Sequence, residues 1–344
     1  MTLRVPRSTV AEELELPLEE PAAAGPGQER LRRLYQIREF GILAAAIGLF
    51  VALSIARPAT FFTEDNILRV AMQISLLTIL ATGMTFLFIV GEIDLSIGAM
   101  YGLLALTISK MLFDWQWSPW LALPATVAIG AGIGFVNGFL TTRFRIPSFI
   151  VTLGMLGILR GIALVWIRTP PIGRSAQFDR VTAGRLFGEI PVQIFWMLGV
   201  VLIASFVLSR TKFGYHVYAT GDNELAARNA GIDTRRVKLI CFVIVGALAG
   251  LASSILIGWV HGVSRGYGPG YELDVIAAVV IGGTNLFGGI GSVFGTFLGA
   301  AITGMITTGL VLLGAQQDSE PIAKGAVIIL AVLLDVTVRR RQGL

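Results

Sequence analysis

Charge is what this sequence has least of. Only 14% of its 344 residues are Asp, Glu, Lys or Arg, against about 25% in an average soluble domain, while 54% are hydrophobic. A helix that crosses a membrane takes about 20 mostly apolar residues, so the composition supplies roughly nine to eleven such spans and leaves no room for a large soluble catalytic domain. The single cysteine, Cys241, excludes an internal disulfide. Two histidines, His216 and His261, lie far apart with no second cysteine beside them, which argues against a thiolate or Cys/His metal site. No Gly-x-x-x-x-Gly-Lys-Ser/Thr phosphate loop occurs anywhere in the chain. The net charge of +5 belongs to loops that hold a polytopic protein in its membrane, rather than to a nucleic-acid surface.

What is present begins with a tail. Residues 1–38 hold five glutamates between Ala11 and Glu20, then a Pro/Ala/Gly stretch from Pro21 to Gly27, and read as a disordered cytoplasmic segment. The basic group Arg30, Arg32, Arg33 and Arg38 then precedes the first apolar run, which reads as a retained span and not as a cleaved signal. Apolar runs predict ten spans: 40–56, 67–90, 95–113, 119–141, 147–167, 191–209, 238–260, 272–285, 288–313 and 322–337. They make an all-α polytopic membrane domain over 39–338, with a cytoplasmic loop over 210–238 and a basic cytoplasmic C-terminus at 339–344. With the N-terminus inside, fifteen Lys and Arg fall on the cytoplasmic side and six outside, so both termini are expected in the cytoplasm. Trp115, Trp117 and Trp120 fit an interfacial belt at an external turn.

Two features recur in the same order. Glu92-Ile93-Asp94 opens the third span and Glu272-Leu273-Asp274 the eighth; one span later stand Gly130, Gly134 and Gly138, then Gly291, Gly295 and Gly299. Under the expected topology these halves, spans 2–5 and 7–10, run antiparallel, which is a transporter signature. Glycines four apart share a helix face and permit close packing, within the chain or across a dimer. The acids stand where helices start, where exposed N–H groups favour a carboxylate; Asp94 and Asp274 are therefore expected to cap. With no histidine or activated nucleophile nearby, acid–base catalysis is disfavoured and no catalytic residue is assigned.

Between the sixth and seventh spans, Asp222 or Asn223 can cap a short helix with Gly231 at its C-terminal turn. Two turns of helix are marginal alone in water. Packing against its own loop and docking into another protein both stand, and Ala226, Ala227 and Ala230 would let a partner come close.

The stretches Gly83-Met84-Thr85-Phe86, Gly91 to Gly98, Pro147 to Gly154, Ala219 to Ile232, Gly270 to Thr284 and Gly288 to Ser292 resemble the membrane permeases of ribose-type ABC importers, with the likeness running from about 40 to 337. The resemblance implies an inverted-repeat architecture of the cobalamin-importer (type II) class in a bacterial cytoplasmic (inner) membrane. It implies as partners a second permease copy or paralogue, a periplasmic sugar-binding protein, membrane lipid and a separate ATP-binding cassette ATPase, which carries the ATP and Mg; this chain holds no cofactor. On the same footing Gly221, Asn223, Ala226, Ala227, Arg228 and Gly231 resemble the coupling helix that meets the ATPase. Arg168, Arg174, Arg180, Arg185 and Arg265 would meet acidic groups on the binding protein. Thr82, Thr85, Ser96, Asn137, Thr152, Thr284 and Asn285 are expected to line a path for a monosaccharide or related polyol, with Glu92, Asp94, Glu272 and Asp274 as helix-start or gating acids. Two departures stand out: Glu92 replaces a common family glycine, and 316–322 lacks the usual aromatic-Gln stretch. The cargo is left open between ribose, xylose, another sugar, a polyol and autoinducer-2, and an ion-coupled secondary transporter working through the four acids is the competing class.

Overall fold

In a computed structural model of the chain, residues 38–186 and 188–314 are described, together with positions 322, 325, 326 and 329. The tail before Arg38, the tenth expected span at 322–337 and the basic C-terminus lie outside the described residues, isolated positions apart.

The helices are α1 (Arg38–Ala56), α2 (Glu64–Ile89), α3 (Ile97–Ser109, continued by a π-helical turn Lys110–Asp114), α4 (Pro119–Phe144), α5 (Ser148–Trp166), α6 (Ala176–Thr182), α7 (Val192–Arg210), α8 (Lys212–Asp222), α9 (Glu224–Asn229), α10 (Thr234–Val260), α11 (Tyr271–Ile281) and α12 (Val293–Leu312). A two-residue antiparallel hairpin, β1 (Arg185–Leu186) and β2 (Ile190–Pro191), lies between α6 and α7. Among the described residues, eight helices are long and apolar enough to cross a membrane: α1, α2, α3 with its π turn, α4, α5, α7, α10 and α12. Helix α11 stands where an eighth span over 272–285 was expected, but its 11 residues rise only about 16 Å, half of a hydrocarbon core about 30 Å thick.

The outward surface is apolar, unlike that of a soluble bundle. Helices α2 and α3 are mostly buried at the centre, whereas α1, α4, α5 and α7 turn residues such as Phe139, Leu153, Val165, Leu202 and Phe206 outward. The centre is apolar too, but buried hydroxyls are set within it: Ser75, Thr78, Thr82 and Thr85 on α2, Ser253 and Ser254 on α10, Thr296 and Thr303 on α12. Lipid tails are as apolar as leucine, so a bundle in a membrane gains little by hiding apolar side chains and holds together through close packing and interhelical hydrogen bonds.

Close packing is where the glycines act. A Cβ on Gly130 or Gly134 of α4 would lie 2.1 Å from the Gly246 carbonyl oxygen or 2.2 Å from that of Phe242, both on α10; one on Gly138 would meet Leu239. Gly246 returns the contact, 2.0 Å from the Gly130 oxygen. On α12, a Cβ on Gly295 or Gly299 would strike the carbonyls of Gly282 or Ala278 behind α11, at 2.2 and 2.0 Å, and one on Gly291 would strike Thr284. Both stripes thus lie in contacts within the chain.

Two stretches of non-helical backbone enter the bundle. From the end of α2, residues 91–96 run inward until Asp94 meets Asn137, two turns inside the end of α4. From the end of α10, residues 261–270 run inward from the opposite end until they lie along α3, where a Cβ on Gly102 would be 2.0 Å from the Tyr267 oxygen. Ser253, two turns inside the end of α10, bonds the Tyr101 carbonyl at 2.9 Å there. Each stretch is followed by a helix, the 18-residue α3 with its π turn or the 11-residue α11. Backbone of this kind persists at membrane depth only where protein satisfies its polar groups. The segment after α5 folds back on the C-terminal end of α10, with Asp179 3.3 Å from His261 Nε2 and the Trp196 indole N–H on the Val181 carbonyl.

Candidate functional site

The loop between α7 and α10 folds into two short helices, α8 and α9, each opened by a side-chain cap. Thr211 opens α8 by accepting from the Gly214 N–H at 3.2 Å. Asn223 closes α8 and opens α9, its Oδ1 accepting from the Ala226 N–H at 2.9 Å. Gly231 adopts φ +86°, a left-handed conformation favouring glycine, just past the end of α9. Asp233 then caps α10 through the Arg236 N–H. The single helix expected from Asn223 is therefore the second of a pair, because Lys212–Asp222 is itself helical. Ala227 faces inward and is buried, while Leu225, Ala226 and Arg228 are exposed.

Three contacts fix this pair to the spans. At Gly221 a Cβ would lie 1.6 Å from the Ile89 carbonyl oxygen at the end of α2 and 2.7 Å from the Gly289 nitrogen, so only glycine fits. Gly289 N–H donates to the same Ile89 oxygen at 2.9 Å, and the Tyr218 hydroxyl donates to the Gly291 carbonyl at 2.8 Å. The end of α8 is wedged between α2 and the loop that leads into α12.

The third contact is ionic. Lys238, in the second turn of α10, reaches Glu92 Oε1 at 2.7 Å and Glu224 Oε2 at 3.0 Å. Glu224 also pairs with Arg228 and accepts from Thr234 at 3.1 Å, and Arg228 Nε donates to Thr234 at 2.8 Å. Partial burial pushes the Glu224 carboxyl up, but the Lys238 hydrogen bond and charge, with Thr234 and Arg228, outweigh it and hold the carboxyl below its ordinary value. Glu92 is thus neither a cap nor a paired acid–base group; it is the point where the α2–α3 segment grips both α10 and α9. Glu224 and Lys238 were missed as functional residues in the sequence. The spacing of Glu224 and Arg228 was the one available signal, whereas Lys238 and Glu92 lie 146 residues apart.

Asp94 departs from the expected cap. Its Oδ1 accepts from Ser96 N–H at 2.8 Å and Ser96 Oγ at 2.5 Å, its Oδ2 accepts from Asn137 at 3.0 Å, and no side chain caps α3. The carboxylate pins the re-entering segment to α4, while Ser148 at the start of α5 accepts from the Ile93 N–H. At the other re-entrant segment the Glu272 carboxylate accepts from the backbone N–H of Gly270, at 3.0 and 3.1 Å. Asp274 sits one turn on, buried in the wall of a cavity of about 490 Å³ between α2, α10, the 267–271 segment and α12.

None of the seven expected path residues lines that cavity. Thr82 and Thr152 donate to carbonyls of their own helices, Thr85 bonds Ala81 and, at 2.7 Å, Thr296, and Ser96 and Asn137 serve Asp94. Asn285 shapes the loop after α11 through Gly288 and Phe287, and Thr284 precedes it. Arg168, Arg174, Arg180, Arg185 and Arg265 are all exposed, at the end of the bundle away from α8 and α9.

The sequence has known counterparts. The profile of a family described as the branched-chain amino acid transport system permease component matches residues 66–332. The ribose import permease protein RbsC of Escherichia coli (strain K12) is 38% identical over 301 residues, 85% of this chain and 92% of its own length. The D-allose transport system permease protein AlsC of the same strain is 35% identical over 298 residues (86% and 90%). The autoinducer 2 import system permease protein LsrC of Klebsiella pneumoniae is 33% identical over 312 residues (90% of each). No solved structure matches the chain. With eight apolar helices of membrane-crossing length among its described residues and a family match across most of its length, this chain belongs to the family of branched-chain amino acid transport system permease components.

Proposed function

We propose that the chain is the membrane subunit of a binding-protein-dependent importer that moves a monosaccharide or related polyol into the cytoplasm, driven by ATP hydrolysis on a separate subunit. One observation carries the reading: a short helix pair, α8–α9, fixed to α2, α10 and the α11–α12 loop by a glycine wedge and a Lys238 ion pair network, with the outer face of α9 free for a partner. A loop held only to itself would need no such anchorage. The ribose and allose permeases among its relatives favour a sugar as cargo; the autoinducer 2 permease makes that signal the second reading.

In this mechanism a loaded binding protein docks on the arginine-bearing end, and ATP binding to the partner pushes α9. Glu224 and Lys238 pass the push to α10 and, through Glu92, to the α2–α3 segment. The fifteen-to-six basic asymmetry supports a cytoplasmic α8–α9 and cytoplasmic termini. Two re-entrant segments entering from opposite ends, each leading into a helix, support the inverted-repeat, type II arrangement, working as two copies or paralogues around a shared path in a bacterial inner membrane. Glu92 in the ion network leaves it no freedom to shuttle an ion, which counts against secondary transport. Uptake of labelled sugar into proteoliposomes tests the proposal: the permease alone should be inactive, and adding its ATPase, ATP and binding protein should start uptake. Uptake by the permease alone under a proton or sodium gradient would overturn it.

A further inference from the structure

The cavity of about 490 Å³ falls in the size range of small-molecule sites, roughly 300–1,000 Å³. It lies beside the start of α11, at the end away from α8 and α9, and opens to the surface at Gln73, Pro269 and Leu273. Its wall combines two kinds of group. Trp259, Tyr267 and Tyr271 supply rings, with Tyr267 and Tyr271 5.5 Å apart and their hydroxyls 2.9 Å from each other. Tyr101 on α3 backs both, at 5.7 and 5.2 Å. Gln73 on α2, Asp274 on α11 and Thr303 on α12 supply polar groups from three further directions. Among the described residues that line it there is no lysine, arginine or histidine.

We infer that this cavity is a way-station for an uncharged monosaccharide, held between the rings of Trp259, Tyr267 and Tyr271 and the polar groups of Gln73, Asp274 and Thr303. The assignment rests on the importer reading and adds residues and a charge class to it. A pyranose or furanose has an apolar C–H face that aromatic rings cover well, and hydroxyls that an amide, a carboxyl and a hydroxyl can meet as donors or acceptors. A phosphorylated or carboxylated sugar would find no counter-charge here and would face the Asp274 carboxyl group in a medium of low dielectric, where an unpaired charge is costly. The cavity therefore rejects anions by lacking a cation, as well as accepting polyols by what it has.

The test uses the full-length permease in lipid nanodiscs, titrated with D-ribose, D-allose and D-ribose 5-phosphate while tryptophan fluorescence is recorded. The neutral sugars should give a saturable change, and the phosphate none. Trp259→Phe should abolish the change with the protein still monodisperse, and Asp274→Asn should weaken apparent affinity about tenfold, the worth of one hydrogen bond to a charged group. A change that survives Trp259→Phe, an equal response to ribose 5-phosphate, or no response to either neutral sugar would overturn the assignment. Stimulation of the partner ATPase by the permease, measured in parallel, separates the two failures. If stimulation persists without a sugar response, the cavity assignment fails alone; if both are missing, the importer reading fails with it.

Discussion

Lys238→Met puts the junction under the sharpest strain, because it removes the one cation shared by Glu92 and Glu224. At 2.7 Å and an effective dielectric near 20, the gross attraction between Lys238 and Glu92 is about 6 kcal/mol, most of it offset by the cost of taking both groups out of water. The side chains are 15% and 13% exposed, so this is a largely buried pair, and stripping one partner from such a pair costs about 3–5 kcal/mol. Glu92 keeps a little solvent, which places the loss near the lower end, about 3 kcal/mol. Glu224, at 36% exposed, retains Arg228 and Thr234 and adds less than about 1 kcal/mol. Methionine conserves the volume of the stem, so the loss reports charge and not a cavity. Unfolding in mixed micelles by titrated SDS measures it, and a double-mutant cycle with Glu92→Gln isolates the pair. The expected coupling is about 2 kcal/mol, the double mutant being less damaged than the two single losses summed. Losses that add to within about 0.5 kcal/mol would show that the two groups do not act on each other, and the proposed transmission from α9 to the α2–α3 segment would fall.

Gly221→Ala should abolish stable expression or uncouple the partner ATPase, since its Cβ has no room beside Ile89; Gly132→Ala, with nothing within 4 Å, should change stability by less than about 0.5 kcal/mol. Gly134→Ala should drive α4 from α10 and cost about 1–3 kcal/mol or more in the same SDS unfolding assay, as overpacking against backbone does. Asn137→Ala should cost about 1–3 kcal/mol, because it removes the donor to Asp94 Oδ2 in a fully buried site. Glu224 ionises below its ordinary value, so its stabilisation is complete above the usual glutamate range and is lost only as pH falls through the lowered folded value. The stability difference between the native protein and Glu224→Gln should accordingly stay constant from about pH 8 to about pH 6 and shrink only in stronger acid. A difference that changes across neutral pH would contradict the assignment.

Runs of apolar residues announced most helices, because a span must be about 20 residues long and nearly free of charge. The expected 40–56, 119–141, 147–167 and 191–209 appear as α1, α4, α5 and α7 with ends shifted by a few residues. The run over 272–285 looked like a span because composition registers apolarity and not the point where the helix begins. Gly268 and Gly270, both at positive φ, mark the extended approach that shortens it. Glycines spaced by four pointed to helix contacts, and the structure supplies the partner helix for each stripe. Asn223 and Gly231 were legible as helix punctuation because capping is local chemistry. Lys238 was not, since its role depends on Glu92 arriving from another helix end. Threonines looked like path residues by polarity alone; their hydroxyls instead bond backbone one turn back, the usual use of threonine within a span.

The backbone contact between α4 and α10 has a mechanical consequence. Carbonyls of one helix lie against glycines of the other at Gly130, Gly134 and Gly246, leaving no intervening layer of side chains that could slide. The two helices must pivot as one beam. Helix α10 has 27 residues, a length of about 40 Å, and a tilt of about 5° at its Lys238 end would carry its far end about 3–4 Å by that geometry. Leu256 and Trp259 sit at that far end, in the cavity wall. A small push on α9 would thus arrive as a side-chain-sized displacement at the proposed sugar site.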